Sequence, residues 1–159
     1  MALPVDALLH LVGAFDGGKP VSETPDEIWQ KMLDFNLRSA YLMFRAVLPR
    51  MVAARRGAIV AVGSRAVLEP MPNFAAYSAT KAALVTLVKA IAAESKEVGV
   101  TANAVLPSII DTPANRAAMP SADYSKWVTP ESIASLMMWL VSDAGQSVTG
   151  AAIPIYGGL

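Results

Sequence analysis

The chain has 159 residues, 54% of them hydrophobic, with only 16% charged. Counted with Gly and without Tyr, the apolar share is roughly 58% against a typical ~45–50%, which excludes a disordered chain and points to one well-filled domain spanning 1–159. Thirteen basic residues balance thirteen acidic ones, there is no Cys and only one His. Nucleic acid and anionic membranes therefore have no electrostatic footprint here, and neither a thiolate metal site nor a disulfide framework can form.

Four runs are expected to be strands: 7–12, 58–63, 100–106 and 151–156. Three of them are almost continuously apolar, as in a parallel sheet covered on both faces. Thr24-Pro25-Asp26-Glu27 predicts a helix start with Thr24 as N-cap and Pro25 at the first helical position. A second helix is expected over 37–55, stopping at Gly57 and kinked or shortened by Pro49. A third should cover 75–98 and stop at Gly99, and Thr129-Pro130-Glu131 should open a fourth whose Ile133, Leu136, Met137 and Leu140 share one face. The alternation predicts an α/β, Rossmann-like parallel sheet of about four strands with flanking helices. The segment 107–129, with Pro107, Pro113 and Pro120, reads as a long irregular connection of the kind that carries substrate loops. Thr86 and Lys89 interrupt the richest apolar stretch, so no membrane span is expected, and with no basic leader before Lys19 the reading is a cytoplasmic protein.

The chemistry concentrates in three places. Tyr77 and Lys81 stand four apart near a helix start, so both project from one face, and an ammonium close to a phenol is expected to lower the phenol's pKa toward neutrality. Ser64, thirteen residues before Tyr77, follows the strand 58–63 and so falls at the carboxyl edge of the sheet, where such folds place ligands. Asn36 opens the Asn36-Leu37-Arg38-Ser39-Ala40 helical stretch.

On Gly63-Ser64, Tyr77-Ser78-Ala79-Thr80-Lys81, Asn36, Asn103-Ala104-Val105-Leu106-Pro107, Asp111-Thr112-Pro113 and Ile153–Gly158, the chain resembles the short-chain dehydrogenase/reductase family along most of its length. The resemblance implies a tetrad. Tyr77 would be the proton donor and Lys81 would tune it and grip the nicotinamide ribose. Ser64 would orient the substrate carbonyl, and Asn36 would anchor a water relay. It also implies a cofactor, NAD or NADP, touched by Tyr77, Lys81, Pro107 and Thr112, and a small carbonyl or alcohol substrate, with no metal. The family's Gly-rich phosphate loop has no counterpart here: Gly17-Gly18 reads as a turn, and His10-Leu11-Val12-Gly13 stands where the family carries Asn-Asn-Ala-Gly. The chain thus corresponds to the family's catalytic portion without the glycine-rich half, and cofactor binding by this chain alone has no motif behind it.

Two other readings stay open on the same residues: a cofactor-independent serine hydrolase with Ser64 as nucleophile and Tyr77 or Lys81 as base, and an inactive oligomeric remnant. Read residue by residue, His10 is expected to be a polar strand-end residue, and Asn103 structural. Asp111, Thr112 and Pro113 either touch cofactor or cap a helix. Leu42, Met43, Met137, Met138 and Trp139 suit core or subunit contact. The apolar strand 7–12 at a sheet edge, together with the low charge, predicts an obligate homo-oligomer, dimer or higher.

Overall fold

The structure, a computed structural model, describes residues 5–158. Its sheet has four parallel strands in the order β1 (Ala7–His10), β2 (Gly57–Val62), β3 (Val100–Pro107) and β4 (Ala152–Ile155), with Ala7 beside Ala58, Val60 beside Asn103 and Val105 beside Ile153. All four expected strands are present within one or two residues. β3 is buried at every position because both of its edges are paired and both of its faces are covered.

The covering layers follow from the period-2 alternation of β2. Ile59 and Ala61 join Ala40, Phe44 and Met51 of α2 (Ser39–Ala54) and Leu84, Val88 and Ile91 of α3 (Ala75–Ser95) in the larger core. Val60, between them, faces the other way with Val105 against Ile133, Met137 and Leu140 of the last helix, Pro130–Val141. That helix starts as expected, Thr129 Oγ1 accepting from Ser132 N at 3.2 Å, and it buries the predicted face. Of the five residues grouped above as core or contact, only Met137 enters the core; Leu42, Met43, Met138 and Trp139 lie at the surface.

Several expectations fail for local reasons. Thr24 does not cap: its hydroxyl donates to Pro20 O at 3.0 Å, and the N-cap position of α1 (Asp26–Met32) falls on Pro25 without a side-chain cap. Nor are the first two helices separate. α1 passes through a π turn, Leu33–Arg38, directly into α2, so helical backbone is continuous over 26–54. Pro49 neither ends nor shortens it, because Pro49 and Arg45 are both on the solvent side, where the carbonyl that Pro49 leaves unbonded meets water. The stop comes at Arg55, left-handed at φ 51°, while Gly57 begins β2. Gly99 does terminate the third helix after a short 3₁₀ turn. Its φ is 71°, and a Cβ there would lie 2.4 Å from Arg55 O, so only glycine fits.

Segment 107–129 is more ordered than expected. It contains α4 (Pro113–Ala118), a 3₁₀ turn at Tyr124–Lys126 and a parallel bridge from Ile110 to Val128. The last helix, Pro130–Val141, is α5. Segment Ala75–Val98 is long and apolar enough by composition to cross a membrane, although interrupted by Thr86 and Lys89. Here it is the central core helix, with residues such as Leu84, Val88 and Ile91 packed on the sheet.

Candidate active site

The carboxyl ends of β1 and β2, the π turn and the first turns of α3 meet at one place. Just past β1 the backbone is closely approached: a Cβ at Gly13 would sit 3.0 Å from Lys81 Nζ and 3.1 Å from Asn36 Oδ1. The same two atoms therefore converge on one point of backbone. Asn36 is fully buried and uses both ends of its amide, accepting from Ala14 N at 2.8 Å and donating to Thr80 Oγ1 at 3.2 Å. Thr80 is itself anchored, donating to Ala76 O at 2.8 Å. The extra residue per turn of a π segment is a recurrent device at functional sites, and here it is the segment that carries Asn36 into the interior.

Lys81 is a buried cation, 6% exposed. Its Nζ donates to Val62 O at 2.8 Å, the last carbonyl of β2, and burial lowers its pKa to about 8. Ser64 lies just beyond that strand. Extended at φ −165°, it caps the 3₁₀ turn Arg65–Val67 by accepting from Ala66 N at 3.1 Å. Tyr77's pKa is raised above the ordinary tyrosine value by burial, an effect that the Ser64 hydroxyl only partly offsets.

Lys81 is not among the groups acting on Tyr77. The expected lowering of the phenol by the ammonium is thus absent: Lys81 spends a hydrogen bond on Val62 O, and desolvation dominates Tyr77. Around neutral pH Tyr77 keeps its proton.

The structure thus brings Asn36, Ser64, Tyr77 and Lys81 together. Pro107 ends β3, and Thr112 Oγ1 caps α4 by accepting from Asn115 N at 3.2 Å. Asp111 pairs with Arg116 through two bonds of 2.6 and 2.8 Å. Asn103 plays the structural part expected, joining Val148 O and Ala151 N across the chain's return to β4. Gly17-Gly18 is a turn strapped back on Asn73 by Gly18 N donating to its carbonyl at 2.8 Å. His10 is buried at the end of β1, edge-on to Phe44 and 3.5 Å from Ser39 Oγ. Its pKa is lowered by burial and by the Lys81 charge.

Two site residues lay outside the sequence reading. Thr80 was only part of a motif, and its tether to Asn36 spans 44 positions. Phe15 stacks on Phe74 at 4.8 Å and meets Tyr77 edge-on at 4.9 Å. Nothing in the local sequence around Phe15 announces either contact.

Comparison with known proteins places this geometry among relatives. A family model described as enoyl-(acyl carrier protein) reductase matches residues 3–159. The short-chain dehydrogenase/reductase cdmF of Talaromyces verruculosus is 33% identical over 171 residues, covering 95% of this chain and 67% of that protein. Among solved structures, an oxidoreductase of the short-chain dehydrogenase/reductase family from Burkholderia thailandensis is 35% identical with a TM-score of 0.88, covering 98% of this chain and 64% of that one. A 3-oxoacyl-[acyl-carrier protein] reductase with bound NAD from Brucella melitensis is 30% identical with a TM-score of 0.87, covering 99% and 63%. The chain spans about two thirds of the length of the proteins it matches.

Proposed function

The chain belongs to the short-chain dehydrogenase/reductase family, and from that premise we propose that it interconverts a small carbonyl compound and its alcohol with a nicotinamide cofactor, NAD or NADP. The observation that carries the proposal is the convergence of Lys81 Nζ and Asn36 Oδ1 at Gly13, with the Tyr77 phenol under the influence of the Ser64 hydroxyl.

The donor set fits the ribose and nicotinamide end of such a cofactor. Below about pH 8 Lys81 is an ammonium with three donors, one given to Val62 O, which leaves two for ribose hydroxyls. Tyr77 flanks it one turn earlier on α3, and Pro107 and Thr112, at the end of β3 and the start of α4, would border the ring. When bound, the nicotinamide supplies or accepts the hydride.

The chain's own residues manage the proton and the carbonyl. Ser64 accepts from Ala66 N, so its hydroxyl proton is free to donate to a substrate carbonyl oxygen. Tyr77, protonated at neutral pH, donates its proton to that oxygen as negative charge grows on it. Asn36, held on both sides, is a positioning residue. It fixes the backbone at Ala14 and holds an oxygen beside Lys81 Nζ, where a relaying water would be recruited.

A hydrolase needs a base on Ser64 Oγ. Lys81 instead donates to Val62 O and the Tyr77 phenol is raised rather than lowered, so no observation favours that reading. Titration with NADH and NADPH tests the proposal: binding with perturbation of Tyr77 and Lys81 resonances is expected, and no binding at millimolar concentration of either overturns it for this chain.

We also carry forward the homo-oligomer. Among the described residues β1 pairs only with β2 and is a sheet edge, and the continuous helix 26–54 presents Trp29, Phe35, Tyr41, Leu42 and Met43 at the surface. Light scattering at micromolar concentration is expected to give at least a dimer's mass; a monomer's mass refutes this part.

A further inference from the structure

Phe15 is 59% exposed, yet it is not loose. Phe74 stacks on it at 4.8 Å, and Tyr77 stands perpendicular to it at 4.9 Å. The loop beyond it is fastened to the segment leading into α3, because Gly18 N donates to Asn73 O at 2.8 Å. Gly17 lies so close that a Cβ there would be 2.5 Å from the Phe74 ring. An aromatic side chain that is both ordered and open to solvent has already met the cost of being fixed, which is what a binding platform needs.

The charges around it point the same way. Asp16, the next residue, is neutralised by Lys31 at 2.7 Å, and Arg65, next to Ser64, is held by Glu69 at 2.7 Å and lies over the Tyr156 ring. Lys19 lines a cleft of about 260 Å³ with Gly17, Thr24, Pro25 and Ile28, a wall that includes neither Phe15 nor Tyr77. The Lys81 ammonium, one turn along α3 from Tyr77, is buried and is assigned above to the ribose, so the aromatic surface of Phe15 is what remains open beside Tyr77.

We propose that Phe15 is a specificity-determining residue, and that the substrate is a neutral carbonyl compound or alcohol carrying an aromatic or flat apolar group directly on the reacting carbon. With the carbonyl oxygen at the Tyr77 and Ser64 hydroxyls, that group meets the exposed part of the Phe15 ring, where offset-stacked or edge-to-face contact is favourable. The carbonyl part of this class rests on the oxidoreductase reading; the apolar part rests on Phe15 alone.

The test uses the full chain, with the aromatic ring resonances followed by NMR as acetophenone is added, and with levulinate, an anionic aliphatic ketone, as the contrast. Acetophenone is expected to shift Phe15, Phe74 and Tyr77 and to bind at least tenfold more tightly than levulinate. Phe15→Ala should weaken acetophenone by roughly three- to tenfold, with Phe15→Tyr restoring it. Equal binding of levulinate, shifts confined to other residues, or a Phe15→Ala affinity within twofold of the parent would overturn the inference. NADH is titrated into the same samples. Acetophenone bound at Phe15 without any NADH response sinks the oxidoreductase reading and leaves the platform standing, whereas an NADH response without acetophenone binding sinks the platform alone.

Discussion

Tyr77→Phe is expected to lower the rate of carbonyl reduction by about 10²–10⁴-fold, the usual worth of a positioned general acid. The hydroxyl is the group that holds a proton at neutral pH beside Ser64, and in the proposed mechanism it is the one that gives its proton up to the carbonyl oxygen, which a hydrogen bond from Ser64 does not replace. The ring stays, so its edge contact with Phe15 is kept. Removing this one hydroxyl should cost only about 1 kcal/mol of stability. Stopped-flow consumption of the reduced cofactor at saturating ketone, with thermal unfolding of the same sample, checks both halves. A variant retaining more than a tenth of the parent rate would remove Tyr77 from the role of proton donor, and a loss of fold would show that its hydroxyl is structural.

The second large effect is a stability change with pH, and it requires no turnover. Lys81 titrates near 8 in the folded chain because it is buried, against about 10.4 when unfolded. Where the unfolded chain binds the extra proton, between those two values, stability rises with pH; below about 8 both states are protonated and the burial penalty is present in full. Wild type should therefore gain about 2 kcal/mol between pH 7 and 9.5, and Lys81→Met should lack that gain. Tyr77 acts in the opposite sense. Its raised value favours the protonated folded state and takes stability away only above about pH 10, so the window below 9.5 isolates Lys81. Urea unfolding of the two proteins at four pH values measures the difference directly. Parallel pH profiles would mean that Lys81 reaches water in solution and is not the buried cation described here.

Lys81's burial also bears on how the site is tuned. The sequence suggests a simple pair in which an ammonium four residues along lowers a phenol. The folded chain instead has a neutral phenol in a dry setting and a cation whose own charge is costly. Such a site is set for donating a proton to a carbonyl oxygen, and the Lys81 charge is available to whatever anion or hydroxyl enters next to Gly13.

The four strands and the two-faced sheet were legible in the sequence because continuous apolar runs separated by helical periodicity admit few other folds. Ser64, Tyr77 and Lys81 were legible for a related reason. Tyr77 and Lys81 share a helix turn, and Ser64 ends a strand, so spacing alone places them at the sheet's carboxyl edge. Local rules misled where a tertiary contact outbid them. Thr24 found Pro20 O instead of a helix end, and Pro49 was harmless because its orphaned carbonyl faces water. The π turn joining two expected helices is invisible to a 3.6-residue period, although it delivers Asn36 to the interior.

By itself the sequence determined the α/β layering and the family resemblance that named all four residues at the site's centre, Ser64, Tyr77 and Lys81 from patterns within a few residues and Asn36 through the resemblance alone. Only the tertiary structure decided that Asn36 is tied to Ala14 and Thr80, that Phe15 stands against Tyr77, and that Lys81 leaves the phenol's pKa unlowered. These are outcomes of desolvation and of contacts between residues tens of positions apart, and a side chain's burial exists only once the chain has closed around it.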